Sequence, residues 1–257
     1  MTFSEQIVYA MFKPSKYKEM LELNKKRFTL FVIVLMLAIG IVRIAVPTAA
    51  MITGFGGFEN LFTNKIAPLE FKDGKLSIEK KFEMSLNLYK IVIDTDEAEV
   101  PDNKLNRTGG YLAFGSKYFT VAVNSQGEVT RYQRFPLDNL LAEGFNNESL
   151  IKLIPAIYSY IIISFLVSCV GYFIKYAILA LIFGIFINGI NNNLGIGLSK
   201  GDIFKLCIYG QTLGIIISNF NTAIGFLPSG IVSGICVVIS INMISAGAFG
   251  MNKTNQV

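Results

Sequence analysis

The chain contains an uninterrupted apolar run at residues 28–50, FTLFVIVLMLAIGIVRIAVPTAA, in which Arg43 is the only charged residue. The hydrocarbon core of a bilayer is about 30 Å thick, so a helix needs about 20 residues to cross it. A run of this length predicts a first transmembrane helix. We therefore expect an integral membrane protein whose remaining parts are arranged around that helix.

The composition supports a membrane protein and argues against several classes of enzyme. Mean hydropathy is +0.51, and 16% of the residues are charged, against about 25% in soluble domains. Histidine is absent, which excludes histidine metal sites and histidine-dependent triads. Cys169, Cys207 and Cys236 lie in apolar segments, where a free thiol behaves as a small hydrophobic group. We expect no enzymatic activity, no cofactor, no bound metal and no nucleic-acid partner.

Residues 1–27 form an amphipathic basic segment that we place on the cytoplasmic side. Thr2 and Glu5 have the spacing of a capping box, and Pro14 is expected to start a second helix. Apolar residues recur at helical spacing, at Phe3, Ile7, Val8, Met11 and Phe12. The basic residues are Lys13, Lys16, Lys18, Lys25, Lys26 and Arg27. Such a segment is expected to lie on anionic lipid head groups, with its apolar side in the acyl boundary, and to keep the N-terminus inside.

Residues 51–150 differ in composition and are predicted to form a small extracytoplasmic domain, β-rich and of the α/β type. Acidic residues outnumber basic ones in this stretch. Turn residues, among them Asp73-Gly74 and Ser125-Gln126-Gly127, separate short β-rich runs. The predicted strands are Lys75–Ile78, 86–94, 111–114, 119–123 and 129–135, and the predicted helices are 138–143 and the residues from Glu148 onward.

The C-terminal block, residues 151–250, is predicted to complete an α-helical membrane bundle, followed by a tail at 251–257. Residues 152–190 would form a helix of about 58 Å, roughly twice the thickness of the hydrocarbon core. Two spans joined at 171–175 fit this length, and further spans are expected at 202–221 and 227–247. The prediction is five transmembrane helices, with loop 191–200 and the C-terminus outside. The alternative is four, with one long helix and with Lys200, Lys205 and Lys253 on the cytoplasmic side.

Several intramembrane residues are candidates for packing or polar contacts. Arg43 is a functional candidate, because placing a charged side chain inside a membrane costs free energy. The alternative is that its side chain extends to the lipid head groups, since Arg43 lies close to the predicted end of the span. The amides that could bond between helices or line a solute path are Asn188, Gln211, Asn219 and Asn242. Two GxxxG pairs are expected to allow close helix packing, preferably within the chain: Gly210 with Gly214 and Gly230 with Gly234.

The acidic stretch from Asp94 to Asp102 begins like a calcium-binding loop. An EF-hand requires Gly at its sixth position and Glu at its twelfth, where this chain has Glu99 and Leu105. We therefore interpret the stretch as a solvated loop that ends a strand.

The order of segments and four short motifs resemble a known family. The motifs are Phe12-Lys-Pro-Ser-Lys-Tyr17, Asp73-Gly-Lys-Leu76, Ile91-Val-Ile-Asp-Thr95 and Ile203-Phe-Lys-Leu-Cys-Ile-Tyr209. They resemble the bacterial multi-span membrane protein family of unknown function that includes maltodextrin-utilisation membrane proteins, which is distantly similar to Yip-domain membrane proteins. The resemblance implies a multi-pass protein of a bacterial cell membrane, four spans after the inserted domain, and no catalytic residues.

These observations lead to two functional hypotheses. The first is a non-enzymatic accessory, regulatory or scaffold protein whose outer domain binds a partner or an envelope component and whose bundle contacts a membrane protein. The alternative is a transporter component for a small neutral solute such as a sugar. In that case the four amides would face a continuous polar cavity.

Overall fold

The computed structural model describes residues 1–86, 89–125 and 128–254. The chain divides into two compact units. The helical unit comprises Met1–Thr48 and the residues from Ile161 onward, and the α/β unit comprises Ala49–Tyr160. Four helical stretches among the described residues are long and apolar enough to cross a membrane: Lys25–Phe55, Ile154–Leu194, Lys200–Thr222 and Ser229–Met251.

The N-terminal segment folds as predicted but packs on protein. Helix α1 (Phe3–Phe12) begins with a complete capping box between Thr2 and Glu5, and a 3₁₀ turn at Pro14–Lys16 leads into α2 (Tyr17–Leu21). The Tyr17 hydroxyl donates to the Ala10 carbonyl oxygen over 2.8 Å. Residues on the inner face of the segment are buried in the helical unit: Gln6, Ala10, Tyr17 and Met20.

This packing changes the expectation that the apolar side of α1 enters the lipid. Phe3 lies 6.5 Å from Phe31, centroid to centroid, and Ile7 also packs on the buried core of the helical unit. Val8 and Phe12 remain exposed, at the outer side of the helix. The segment is therefore held by the rest of the helical unit, with a smaller apolar surface left for lipid.

The first long helix runs from Lys25 to Phe55 and contains a π-helical turn near its middle. It consists of α3 (Lys25–Gly40), a π-helical turn (Ile41–Ala45) and α4 (Val46–Phe55). Pro47 has no amide hydrogen to donate to the carbonyl four residues earlier, and helices commonly adjust their hydrogen bonding beside a proline. The predicted helix at 28–50 is confirmed, and it extends beyond both predicted ends.

Two short helices belong to the α/β unit and lie next to the long ones in sequence. Helix α5 (Phe58–Asn60) follows the first long helix and continues into a π-helical turn at Leu61–Lys65. Helix α6 (Asn147–Lys152) begins at a capping box of Asn146 and Ser149. The predicted helical start near Glu148 is therefore confirmed.

The prediction of two spans at 152–190 is wrong, because α7 (Ile154–Leu194) is one continuous helix of 41 residues. Gly171 and Lys175 do not interrupt it, and the Lys175 side chain is exposed. An apolar helix can continue through a glycine, because without water the helix is what satisfies the backbone hydrogen-bonding groups. At 1.5 Å per residue α7 is about 62 Å long, and it starts in the α/β unit. The number of candidate spans in the described part of the chain is four.

Helices α8 (Lys200–Ile224) and α9 (Ser229–Thr254) complete the helical unit. Lys205, near the start of α8, donates to the Leu21 carbonyl oxygen at the end of α2, over 3.4 Å. Near the end of α9, a Cβ atom on Gly247 would lie 2.5 Å from the Tyr17 ring. The start of α8, the end of α9 and the N-terminal helices therefore lie at one end of this unit. The connection between α7 and α8 thus lies at the same end of the helical unit as the N-terminal helices, whereas the five-span prediction placed loop 191–200 on the opposite side from the N-terminus.

The α/β unit contains a hairpin and a five-stranded sheet. The hairpin pairs β1 (Leu69–Lys72) with β2 (Lys75–Ile78), and its turn has positive φ at Asp73 and Gly74, as a tight hairpin requires. The sheet has the order β3-β4-β5-β6-β7, and only β4 and β5 pair in parallel among its described strands. Its strands are β3 (Phe82–Leu86), β4 (Tyr89–Ile93), β5 (Gly109–Phe114), β6 (Tyr118–Ser125) and β7 (Glu128–Pro136).

Most strand predictions are confirmed, and the differences are local. The runs at 75–78, 111–114, 119–123 and 129–135 lie in β2, β5, β6 and β7, whereas β1 and β3 were not predicted. The run at 86–94 contains β4, but Asn87 and Leu88 lie outside the described residues, as do Gln126 and Gly127 of the predicted turn. The predicted helix at 138–143 is replaced by a 3₁₀ turn at Leu137–Asn139.

Candidate functional site

Arg43 lies in the helical unit, within the π-helical turn of the first long helix. Its Nη1 atom donates to Oδ1 of Asn219, in α8, over 3.4 Å. Its guanidinium carbon lies 5.4 Å from the centroid of the Tyr172 ring, in α7. Arg43 thus contacts two neighbouring helices, α7 and α8.

Asn219 connects Arg43 to a second tyrosine. Only 2% of Asn219 is exposed, and its Nδ2 atom donates to the Tyr176 hydroxyl over 2.9 Å and to the Ile215 carbonyl over 2.6 Å. The amide thus accepts from the arginine and donates to the tyrosine. We call Arg43, Tyr172, Tyr176 and Asn219 the polar cluster.

The polar cluster places one permanent positive charge among neutral groups. The partners of Arg43 in the described part of the chain are an amide and an aromatic ring, not a carboxylate. The arrangement can hold the first long helix, α7 and α8 together and can attract an anion. It offers no acid–base pair for moving a proton among the described residues.

The other predicted amides are dispersed. Gln211 is buried and donates to the Cys207 carbonyl one turn earlier in α8, over 3.0 Å. Asn242 is exposed and donates to the Val238 carbonyl of α9 over 2.8 Å. Asn188 is exposed on α7. Of the five intramembrane candidates, the structure brings together Arg43 and Asn219.

The two GxxxG pairs have different surroundings. A Cβ atom on Gly210 would lie 2.4 Å from Cγ1 of Ile244, and one on Gly214 would lie 2.9 Å from the Cys236 carbonyl oxygen. This pair therefore forms the close contact of α8 with α9, within the chain. A Cβ atom on Gly230 or Gly234 would have no described neighbour within 4 Å, so these two positions face open space.

Sequence reasoning missed the tyrosines of the polar cluster and a second close helix contact. Tyr172 and Tyr176 are four residues apart, a spacing that places two side chains on one face of a helix. That spacing was a usable signal. At Gly40, a Cβ atom would lie 2.5 Å from the Cys169 sulfur, so α3 and α7 approach closely at a glycine that has no GxxxG partner.

The acidic stretch 94–102 of the α/β unit is neutralised by basic side chains. Asp94 is 3% exposed, and its carboxylate lies 2.6 Å from Nζ of Lys104 and 3.1 Å from Nζ of Lys81. Burial acts to raise the pKa of Asp94, but hydrogen bonds from the two lysines outweigh it and lower that pKa below its usual range. Glu99 forms an ion pair with Arg131. Asp94 and Glu99 thus have basic partners within the α/β unit, which is the structural alternative to a calcium loop.

Asn147 joins distant parts of the α/β unit. Its Nδ2 atom donates to the carbonyl oxygens of Phe62 and Ile66, over 2.8 and 3.3 Å, and its Oδ1 atom accepts from the Leu69 amide over 2.8 Å. One side chain thereby connects a helical turn, strand β1 and the start of α6. No local pattern in the sequence indicates this role.

One face of the sheet has an apolar row that crosses all five strands. Cross-strand pairing aligns the row in the order Phe82, Ile93, Phe114, Phe119 and Phe135. The rings of Phe114 and Phe119 stack at 4.6 Å, and those of Phe119 and Phe135 stack at 5.9 Å. Leu112 and Val121 form a neighbouring pair on the same face.

Part of that face remains accessible. Phe135 is 36% exposed, and three further side chains are half-buried: Leu112, Phe119 and Val121. We call these four residues the apolar strip. It includes the edge strand β7, where Tyr132 is an extra residue in a bulge and is also exposed.

The comparisons with known proteins identify a family but no characterised relative. A family profile described as "Protein of unknown function (DUF1189)" matches residues 5–247, a range that includes both units. No curated protein and no solved structure matches the chain. The resemblance to maltodextrin-utilisation and Yip-domain proteins therefore has no named relative to support it. A match over nearly the whole length shows that this chain belongs to the DUF1189 family of proteins of unknown function.

Proposed function

We propose that the protein is a non-enzymatic accessory or scaffold protein of the bacterial cytoplasmic membrane, and that its α/β unit binds a partner protein outside the cell. The observation that carries this proposal is the apolar strip of Leu112, Phe119, Val121 and Phe135. Contiguous apolar surface on a folded domain marks interaction sites more often than scattered single residues do.

The surroundings of the apolar strip favour a protein over a sugar polymer or another envelope component. Stacked phenylalanines provide a large contact area, and aromatic residues are enriched at protein interfaces. Strand β7 is an edge of the sheet, so its outer backbone groups can pair with an added strand.

The helical unit supports an anchoring role in this proposal. Its intramembrane arginine is paired within the polar cluster, and α8 and α9 pack closely at Gly210 and Gly214. Paired polar groups and tight glycine contacts stabilise a bundle without requiring a bound substrate. Basic residues near the N-terminus and at Lys200 and Lys205 favour a cytoplasmic location for that end of the unit.

The transporter alternative depends on a polar path, and the described residues give it less support. Gln211 and Asn242 bond to carbonyl oxygens of their own helices, and Asn219 is engaged in the polar cluster. We therefore favour the accessory role over transport of a small neutral solute.

The proposal is tested by site-specific photocrosslinking in living cells. A photoreactive phenylalanine analogue at position 135 should give one discrete adduct with another protein. The same analogue at Lys72, which is exposed on β1 outside the apolar strip, should give little or none. Phe119→Asp in the chain carrying the analogue at 135 should abolish the adduct, whereas Lys75→Asp, at an exposed position on β2 outside the apolar strip, should leave it.

Two results would count against partner binding at the apolar strip. One is equal crosslinking from positions 135 and 72. The other is a protein that yields no adduct from position 135 and purifies alone from membranes in mild detergent.

A further inference from the structure

The α/β unit contains a partly open cavity of about 290 Å³ on the same face of the sheet as the apolar row. Met84, Ile91 and Phe114 line it from the sheet side. Phe62, Leu141 and Leu150 line it from the segments that cover the sheet. All the residues around it have leucine, isoleucine, phenylalanine or methionine side chains.

The lining determines what class of molecule fits. A buried water or a polar ligand needs two or more hydrogen-bonding partners, and these side chains offer none. An engineered cavity of about 150 Å³ with Leu, Ile and Phe walls stays dry and takes up benzene. The cavity described here is larger and has the same chemistry, so its favoured occupant is a hydrocarbon group.

The position of the cavity within the α/β unit indicates where that hydrocarbon comes from. The ring of Phe62 stacks on Phe58 with centroids 6.0 Å apart, and Phe58 meets Tyr158 edge-on at 5.4 Å. Phe58 follows shortly after the end of α4 at Phe55, and Tyr158 lies in the first turns of α7. The cavity wall is thus continuous with the ends of two helices that are long and apolar enough to cross a membrane.

We propose that this cavity binds one acyl chain of a membrane phospholipid from the leaflet beside the α/β unit. The proposal depends on membrane insertion of the helices that end in this unit, and it does not depend on partner binding at the apolar strip. The lipid head group would stay in the interfacial region, because the side chains that line the cavity include no polar group to receive it.

The test uses the full-length protein reconstituted in phosphatidylglycerol and phosphatidylethanolamine vesicles. A small fraction of the phospholipid carries a photoreactive diazirine near the end of one acyl chain. After illumination, mass spectrometry of peptides should locate crosslinks at Met84, Ile91 or Phe62, in addition to lipid-facing residues of the long helices.

A matched pair of variants separates cavity binding from general contact with lipid. Leu141→Trp fills the cavity and should reduce crosslinking at the lining residues at least tenfold, while labelling of the long helices is unchanged. Leu140→Trp is the control, because Leu140 is 52% exposed and does not line the cavity. Leu150→Phe repeats the test with a smaller change if Leu141→Trp does not fold.

The proposal is overturned if lining residues are unlabelled in the wild-type protein while the long helices are labelled. It is also overturned if the folded cavity-filling variant and Leu140→Trp are labelled to the same extent at the lining residues.

Discussion

Gln6 in α1 donates a hydrogen bond from Nε2 to the hydroxyl oxygen of Tyr209 in α8, over 3.0 Å, although 203 positions separate them in the sequence. Both side chains are fully buried, and Oε1 of Gln6 has no partner among the described residues. This contact gives the N-terminal helix a polar connection to the rest of the helical unit. The N-terminal segment is thus part of the folded unit.

We expect Tyr209→Phe to lower the free energy of unfolding by about 1–3 kcal/mol, because it leaves the whole Gln6 amide buried without a partner. Adding Gln6→Met should recover most of that loss, since both partners are then apolar. Thermal unfolding of the purified protein in mild detergent measures both effects. If the double variant is as unstable as Tyr209→Phe, the hydrogen bond does not connect these helices.

The N-terminal segment shows what the sequence could and could not predict. The capping box of Thr2 and Glu5 and the helix start at Pro14 are local features, and both predictions are confirmed. Helical periodicity also identified an apolar face. The periodicity could not tell whether lipid or protein covers that face, because an apolar helix face can pack against either. The residues that pack there, Phe31 and Tyr209, are distant in the sequence.

The two GxxxG pairs give a prediction with an internal control. Gly210→Leu should destabilise the helical unit by about 1–3 kcal/mol or more, because the new side chain would overlap Ile244. Gly234→Leu should be neutral or slightly stabilising, since the position faces open space and glycine is a poor helix former. Unfolding in increasing denaturing detergent, followed by circular dichroism, compares the two. Equal loss in both variants would contradict the assigned contact of α8 with α9.

The polar cluster predicts an asymmetry between its two central residues. Asn219→Leu leaves the Arg43 charge without its amide partner and should be strongly destabilising, whereas Arg43→Met removes the charge together with its cost of insertion. In the Asn219→Leu background, Arg43→Met should therefore raise stability. The measurement is the thermal midpoint of each variant in the same detergent.

Asn242→Leu is the control for the polar cluster, because the Asn242 amide donates to a carbonyl of its own helix. It should change the midpoint little. A result in which Asn242→Leu and Asn219→Leu are equally destabilising would show that Arg43 does not depend on Asn219.

The α/β unit should lose stability in acid because of Asp94. Lys104 and Lys81 lower the pKa of this carboxylate in the folded protein below its ordinary value of 3.8. A depressed folded pKa means that the stabilisation is complete above the ordinary pKa and is lost as the pH falls through the folded pKa. Asp94→Asn should therefore be less stable than wild type at pH 7, with a difference that shrinks below about pH 4.

The comparison for Asp94 is made by circular dichroism of the full-length protein from neutral pH down into the acid range. Asp138→Asn, at an exposed position, should be as stable as wild type throughout. A constant difference between Asp94→Asn and wild type over this range would exclude the ionised pair as its cause.

The strands show a second limit of sequence-based prediction. Runs with β-branched and aromatic residues next to turn residues were found, as at Lys75–Ile78. β3 was missed because its sequence, FEMSL, contains no β-branched residue. β1 was missed because LEFK also contains no β-branched residue, and its strand conformation depends on pairing with β2 and on the Asn147 side chain. The cavity was likewise not predictable, because it is formed by residues that meet only in the folded chain. For the polar cluster the sequence indicated the members Arg43 and Asn219, but not that they contact each other.

The continuous helix α7 predicts a topology that labelling can test. With four spans, loop 191–200 lies on the side of the N-terminus, and the turn around Phe226 lies on the side of the α/β unit. Single cysteines are placed at Ser125, Asn192 and Phe226 in a chain that lacks Cys169, Cys207 and Cys236. In intact cells, an impermeant thiol reagent should label positions 125 and 226, while position 192 should react only after the membrane is permeabilised. Labelling of 192 together with 125 in intact cells would mean that the 41-residue helix does not cross the membrane as a single span, and would restore the five-helix topology.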